Sequence, residues 1–232
     1  VYDLEKIRCL ARARLDDLRA PYLWDDWELN EYINITLKDA CIRAALVVED
    51  GIEIPFTQDV YGNWNATYAL NPGVLDVQSV GIASRPSFRL LRTSMRQKEQ
   101  LRHYRPASQS GPYEYALDLT MQGTGNYVNE FVRTITFIGK PYQADTAYVD
   151  VKRLPKKLEQ DDDVPEIDPM WVPDLLYGIT GLAYMKRDSD TFDPRRSEKD
   201  MAEFTARYGE RLPAVVLRER QIEVPYEMIV GY

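Results

Sequence analysis

Histidine is nearly missing from the chain: His103 is the only one in 232 residues. That scarcity removes most Ser–His and Cys–His nucleophile schemes and most His-ligated metal sites. His103 itself lies in a basic, turn-rich segment and reads as an ordinary surface side chain. Cysteine is almost as scarce. Cys9 and Cys41 both fall in helical patterns and read as buried thiols in a reducing compartment, with a disulfide between them left open. A phosphate-cradling glycine loop, a dinucleotide fingerprint and the paired cysteines of a zinc site are all lacking. No apolar run approaches the roughly 20 residues that span a bilayer, and the first residues do not read as a signal peptide, so no membrane partner is expected. Positive charge is in deficit too. Lys and Arg number 29 against 37 acidic residues, for a net charge of −8, which argues against wrapping nucleic acid by bulk attraction.

What is present reads as a globular protein. Hydrophobic residues make up 44% and charged residues 28%, enough for one sizeable core or a core plus an inserted module. The most informative stretch is Trp24–Asp50, where Leu29, Ile33, Leu37, Ala40 and Cys41 recur at helical steps. Asp25 and Glu28 form a capping-box pattern at its start, and Gly51 reads as its stop. A first helix is expected over Asp3–Arg19, broken by Pro21. After Gly51 the period changes to two. Strand-like runs come at Val77–Ala83, Phe88–Arg92, Tyr113–Met121, Phe131–Ile138 and Thr146–Val151, with Gln122–Asn129 as a hairpin loop. Helix returns at Asp168-Pro169 and again at Asp193-Pro194, both cap-and-proline signals, and stops at Gly209.

These patterns predict an α+β fold. It has a four-helix bundle core (residues 1–51 plus 156–211), an inserted antiparallel β-module (52–155) and an extended C-terminal tail (212–232). Leu29, Ile33, Leu37, Leu175, Ile179, Leu182 and Phe204 are expected to meet in that core.

Few residues suggest chemistry. The acidic run from Glu159 to Asp168 lacks the alternate spacing of a Ca²⁺ loop and reads as a solvated connector. Arg85, Arg89, Arg92, Arg96, Lys98, Arg102 and Arg105 cluster against the single acid Glu99, a local charge of +6. This basic patch fits contact with DNA or an acidic partner surface, or equally a solvated face laced with intersubunit ion pairs. Trp24 and Trp27 read as staples at the start of a helix rather than as ligand platforms. No catalytic, cofactor-binding or metal-ligating residues stand out, so the protein is not expected to be an enzyme.

The order of parts carries a resemblance. A short helix ending in Arg14-Leu15-Asp16-Asp17 is followed by Trp24-Asp25-Asp26-Trp27-Glu28-Leu29, then Tyr32-Ile33-Asn34, Ala40 and Arg43-Ala44. A β-module with Tyr68-Ala69-Leu70-Asn71-Pro72 comes next, then Val164-Pro165-Glu166-Ile167-Asp168-Pro169, Leu175, Ala183-Tyr184, Ala202 and Phe204. Over nearly its whole length the chain thus resembles the head-to-tail adaptor (connector) proteins of tailed bacteriophages. It departs from them in having Asn71-Pro72 where an uninterrupted Leu-Pro is expected.

The resemblance implies a structural protein of the virion neck, made in the host cytoplasm during assembly. About twelve copies would form a homo-oligomeric ring under the portal protein. The ring would continue the channel for double-stranded DNA, which passes without sequence-specific contacts, and would carry tail or nozzle proteins below. The tail residues expected at the portal or subunit interface are Leu217, Ile222, Val224, Tyr226, Met228, Ile229 and Tyr232. The alternative is a tail-associated module that binds a glycan or a protein.

Overall fold

The structure, a computed structural model, describes residues 1–93, 111–124, 128–139, 141–188 and 190–213, with the backbone alone described at 119–124 and 128–132. Leu4, Ile7, Ala11 and Leu15 make the buried stripe of α1 (Leu4–Leu15). Asp3 caps it by accepting from the Lys6 amide at 2.8 Å. The next orphan amides, Leu4 and Glu5, donate to the carbonyls of Asp163 and Asp161. The helix ends at Leu15 and not at Arg19, because Asp16 turns left-handed at φ 58°. Asp17 then points inward. It is 3% exposed and accepts from the Arg12 guanidinium at 2.6 Å and the Leu23 amide at 3.0 Å. Arg12 also donates to the Trp24 carbonyl and to Asp26, so one buried cation ties the end of α1 to the start of the next helix.

That helix, α2 (Asp26–Ala44), opens with the Asp25/Glu28 capping box and buries Leu29, Ile33, Leu37, Ala40 and Cys41. It stops at Ala45, φ 50°, six residues before the expected Gly51. Glu49-Asp50-Gly51 belongs instead to β1 (Val48–Pro55), where the register against β8 (Thr146–Arg153) shifts between Glu49 and Ile52. Gly51 supplies the positive φ of 71° at that bulge, and its amide donates to Asp150. The β-branched pair Val47-Val48 favours leaving the helix there.

Two further helices follow the connector, α3 (Val172–Ala183) and α4 (Pro194–Tyr208). At α4 Asp193 accepts from the Arg196 amide and Pro194 takes the first position. At α3 the cap-and-proline signal sits elsewhere. Asp168 closes a turn on the Met170 amide, and Pro173 is the proline in the first helical turn.

The expected four-helix bundle core does not form, although the mixed α+β class stands. The chain divides into two compact units, one of Val1–Val47 with Arg153–Arg211 and one that holds, among the described residues, Val48–Lys152 with Leu212 and Pro213. In the helical unit the apolar side chains part into two clusters. Ile33, Leu37, Leu175, Ile179 and Phe204 meet in one, and it is completed by Val47, Leu158 and Ile167 from outside any helix. Leu29 packs in the other with Leu15, Trp24, Ala183 and Tyr184, while Leu182 is only half-buried. Irregular chain thus supplies part of what a bundle would draw from helices.

The second unit holds the remaining strands: β2 (Thr67–Ala69), β3 (Val74–Ile82), β4 (Arg85–Arg89), β5 (Leu91–Arg92), β6 (Glu114–Thr124) and β7 (Val128–Ile138). They form two four-stranded sheets, ordered β1-β8-β3-β4 and β2-β7-β6-β5. β1–β8, β2–β7, β3–β4 and β6–β7 pair antiparallel, whereas β5 and β6 run parallel, a correction to the purely antiparallel expectation. The β6–β7 ladder continues to Thr124 opposite Val128, so the hairpin turn is shorter than the Gln122–Asn129 loop expected. Ile54, Val77, Val149, Tyr115, Ile135 and Phe137, drawn from both sheets, share one buried cluster.

Candidate interaction surfaces

Three of the seven residues of the basic patch lie in the described chain, and each is engaged. Arg85 donates to the Pro112 carbonyl at 2.7 Å and lies 5.6 Å from the Phe88 ring. Arg92 pairs with Asp76 at 2.9 Å. Arg89 lies across Gly81, so close that a Cβ there would meet its guanidinium. The Asp150 carboxyl is held below its usual range chiefly by hydrogen bonds from the Ser79 hydroxyl and the Gly51 amide, with the Arg89 charge adding a little. Nearby, Arg133 of β7 donates to the Leu75 carbonyl, and burial pulls its pKa down against the support of Asp76. Of the three patch residues, Arg92 is ion-paired, Arg85 is held by a backbone carbonyl and Arg89 stays exposed. Arg96, Lys98, Arg102, Arg105 and His103 lie outside the described residues, as do Leu217, Ile222, Val224, Tyr226, Met228, Ile229 and Tyr232 of the tail.

The acidic run, with Glu159, Asp161, Asp162 and Asp168 exposed, also holds itself and its neighbours by pairing. Asp163 accepts from the Glu159 and Gln160 amides, Asp161 pairs with Arg8 at 3.0 Å, and Glu166 binds Arg153 through both oxygens. Among the described residues no three His, Cys, Asp or Glu side chains converge to hold a metal ion. Cys41 is buried, and burial pushes its thiol up to about 12; Cys9 is exposed, contrary to the expectation of two buried thiols. Trp24 is buried, donating to the Ala183 carbonyl, whereas Trp27 is exposed.

A shallow hollow of about 210 Å³ in the β unit brings Ser84, Arg85 and Asp145 together. Asp145 accepts from the Ser84 amide and hydroxyl and from the Thr146 amide, so the Ser84–Asp145 pair locks a turn.

The surface that sequence reasoning missed is on the helical unit. Between α2, α3 and α4 runs an open groove of about 360 Å³. Ile35, Ile42, Leu182, Met201 and Phe204 give it apolar walls, and the exposed Lys38 and Arg211 also line it. Gly178 opens it: a Cβ at that position would lie 2.5 Å from the Thr36 methyl and 3.0 Å from the Phe204 ring. Thr36 Oγ1 is buried here without a hydrogen-bond partner among the described residues, while Asp39 Oδ1, also without a hydrogen bond, faces the Arg211 guanidinium at 3.6 Å. The sequence signals were Gly178 and Gly181, which imply close helix packing without saying which helix comes close.

No protein-family model matches the chain, and no curated protein is significantly similar to it.

Proposed function

We propose that this protein is a structural head-to-tail adaptor of a tailed-phage virion, a ring under the portal that continues the DNA channel and offers an attachment platform for the tail. The observation that carries the reading is the layout of the chain. A helical unit is stitched from residues on both sides of a β unit, and a segment rich in apolar residues follows Pro213. That is the order of parts of the adaptor family that the sequence resembles. Two further features support it. Among the described residues, Glu166, Arg85 and Arg92, which looked capable of chemistry, are engaged within the fold. The helical unit also keeps large apolar side chains in solvent, Trp27 at 66% and Ile35 at 50% exposed among them, as a subunit awaiting neighbours does.

The test is particle mass by light scattering or mass photometry, with the protein alone and with portal rings of the same phage. Ring-sized particles of about twelve copies, or addition of that mass to the portal, are the expected result. A chain that remains monomeric and adds no mass to the portal overturns the reading.

A further inference from the structure

We propose that α2 is the contact through which two copies of this chain pair, the two helices lying antiparallel about a two-fold axis at Ile35. Trp27, Glu31, Ile35, Lys38 and Ile42 follow one another at steps of four, four, three and four residues, which sets them in one stripe along α2. Trp27 is 66% and Ile35 50% exposed, Glu31 and Lys38 are exposed, and Ile42 is half-buried. The opposite face of the helix, with Ile33, Leu37, Ala40 and Cys41, is already packed in the core. The stripe is therefore an outer face that keeps large apolar side chains in water.

Reversed upon itself, the stripe matches in charge. An antiparallel pair centred on Ile35 sets Glu31 opposite the partner's Lys38 and Trp27 opposite the partner's Ile42, and the same contacts recur across the axis. Lys157 already lies 2.6 Å from Glu31 Oε1, but that pair is exposed and engages one of the two oxygens, which leaves the other for a second cation. At the Trp27 end stands Asp25, exposed and in no ion pair among the described residues. At the Ile42 end stands Arg211, its side chain 60% exposed. Reversal also brings each positive helix N-terminus toward a negative C-terminus. A parallel pair would instead set Glu31 against Glu31 and Lys38 against Lys38.

The shape agrees with the charge. α2 is a ridge with a hollow on each flank, the groove of about 360 Å³ toward α3 and α4 and another of about 340 Å³ toward residues 154–157. Ridges settle into grooves when helices pack. Trp27 then has Ile42, Leu182 and Met201 of the partner's groove to meet, and tryptophan is among the side chains that anchor such contacts. One helix pair is small for an interface, so the dimer is expected to be weak and concentration-dependent. The pairing does not rest on the adaptor reading. A ring of about twelve copies is built from head-to-tail contacts, whereas a two-fold contact closes at two.

Sedimentation velocity of the full chain over a concentration series, with crosslinking, tests the proposal. The native protein is expected to pass from one copy to two as its concentration rises through the micromolar range. Trp27→Ala is expected to weaken the pairing at least about tenfold. Glu31→Lys and Lys38→Glu are each expected to weaken it and, combined in one chain, to restore it. The exchanged charges meet again across the axis, while the Glu31–Lys157 pair within the chain stays broken. With the exposed Cys9 changed to serine, Ile35→Cys is expected to form a disulfide with its own copy under oxidation. Ile35 is half in solvent, so its replacement leaves the fold in place. A native chain that stays single at every concentration overturns the pairing, as does pairing unchanged in Trp27→Ala and in both charge variants. Growth beyond two copies without an Ile35→Cys crosslink also overturns it and assigns the stripe to a head-to-tail contact. None of these readouts involves a portal, so failure here is separable from failure of the adaptor reading.

Discussion

Glu166 accepts from Arg153 Nη1 at 2.7 Å, Arg153 Nη2 at 3.0 Å and the Lys156 amide at 2.9 Å, and pairs with the Lys156 ammonium at 3.2 Å. A carboxylate held by a bidentate guanidinium and a backbone amide is strongly favoured in its charged form. The Arg153 hydrogen bonds, chiefly, draw its pKa from the ordinary 4.5 down to about 2, overcoming the desolvation that pushes the other way. Because the folded value is the lower one, the unfolded chain binds the proton first as acid is added. The stability Glu166 contributes is therefore complete above about pH 4.5 and drains away as pH falls toward 2. Glu166→Gln removes the titration along with the ion pair. Denaturant midpoints of the native protein and the Glu166→Gln variant should lie apart near neutrality and converge as pH drops through that window. A gap that stays constant down to pH 2 would mean the pairing does not work through this carboxylate.

At the scale of an element, the meeting of α2 and α3 turns on Gly178. Alanine there gains about 1 kcal/mol of helix propensity over glycine. Against this, its Cβ would stand 2.5 Å from the Thr36 methyl, on a short β-branched side chain with no slack to retract. Overpacking of that kind costs about 1–3 kcal/mol, so the clash wins and Gly178→Ala should lower stability on thermal or urea unfolding. A stabilised variant would show that α2 and α3 can part freely at this point. The starts of α2 and α4 were legible in the sequence because Asp25 with Glu28, and Asp193 with Pro194, act within one turn of chain. Other ends were not legible. Gly51 and Asp168-Pro169 carry the same signals, yet one serves a bulge and the other a turn, since positive φ and an Asx contact suit several structures. The stop of α1 depends on Asp17 meeting Arg12 and the Leu23 amide inside the fold, which no local pattern encodes. The groove was half legible: the two glycines announced a close approach, but the identity of Thr36 and Met201 as the neighbours is tertiary information.

For the whole molecule, the two units differ in how they depend on the chain. Apart from Leu212 and Pro213, the described part of the β unit lies in one stretch, Val48–Lys152, and among the described residues its buried cluster draws on none outside that stretch. Its two ends meet, since Val48 is paired with Lys152 in the β1–β8 ladder. Such an insertion leaves and rejoins its host at a single point, the arrangement in which a domain is most readily excised. At about a hundred residues it is also long enough to bury a self-sufficient core. The helical unit has no such independence. Leu4, Ile7, Ile33 and Leu37 come from one side of the insertion, and Leu175, Ile179 and Phe204 from the other. Amphipathic helices deprived of the partner face have little to hold them in water. A fragment of residues 48–152 is therefore expected to show strand-type circular dichroism and a cooperative melt, while a fragment of residues 1–47 should be largely unfolded. In the intact chain Leu37→Ala, at a site 1% exposed, should cost the helical unit about 2–5 kcal/mol. The cluster to which Leu37 belongs shares no side chain with the β core, so the melt of the sheets should stay where it is. An isolated 48–152 that fails to fold, or a Leu37→Ala protein in which sheets and helices melt earlier together, would show that the two cores stand or fall as one.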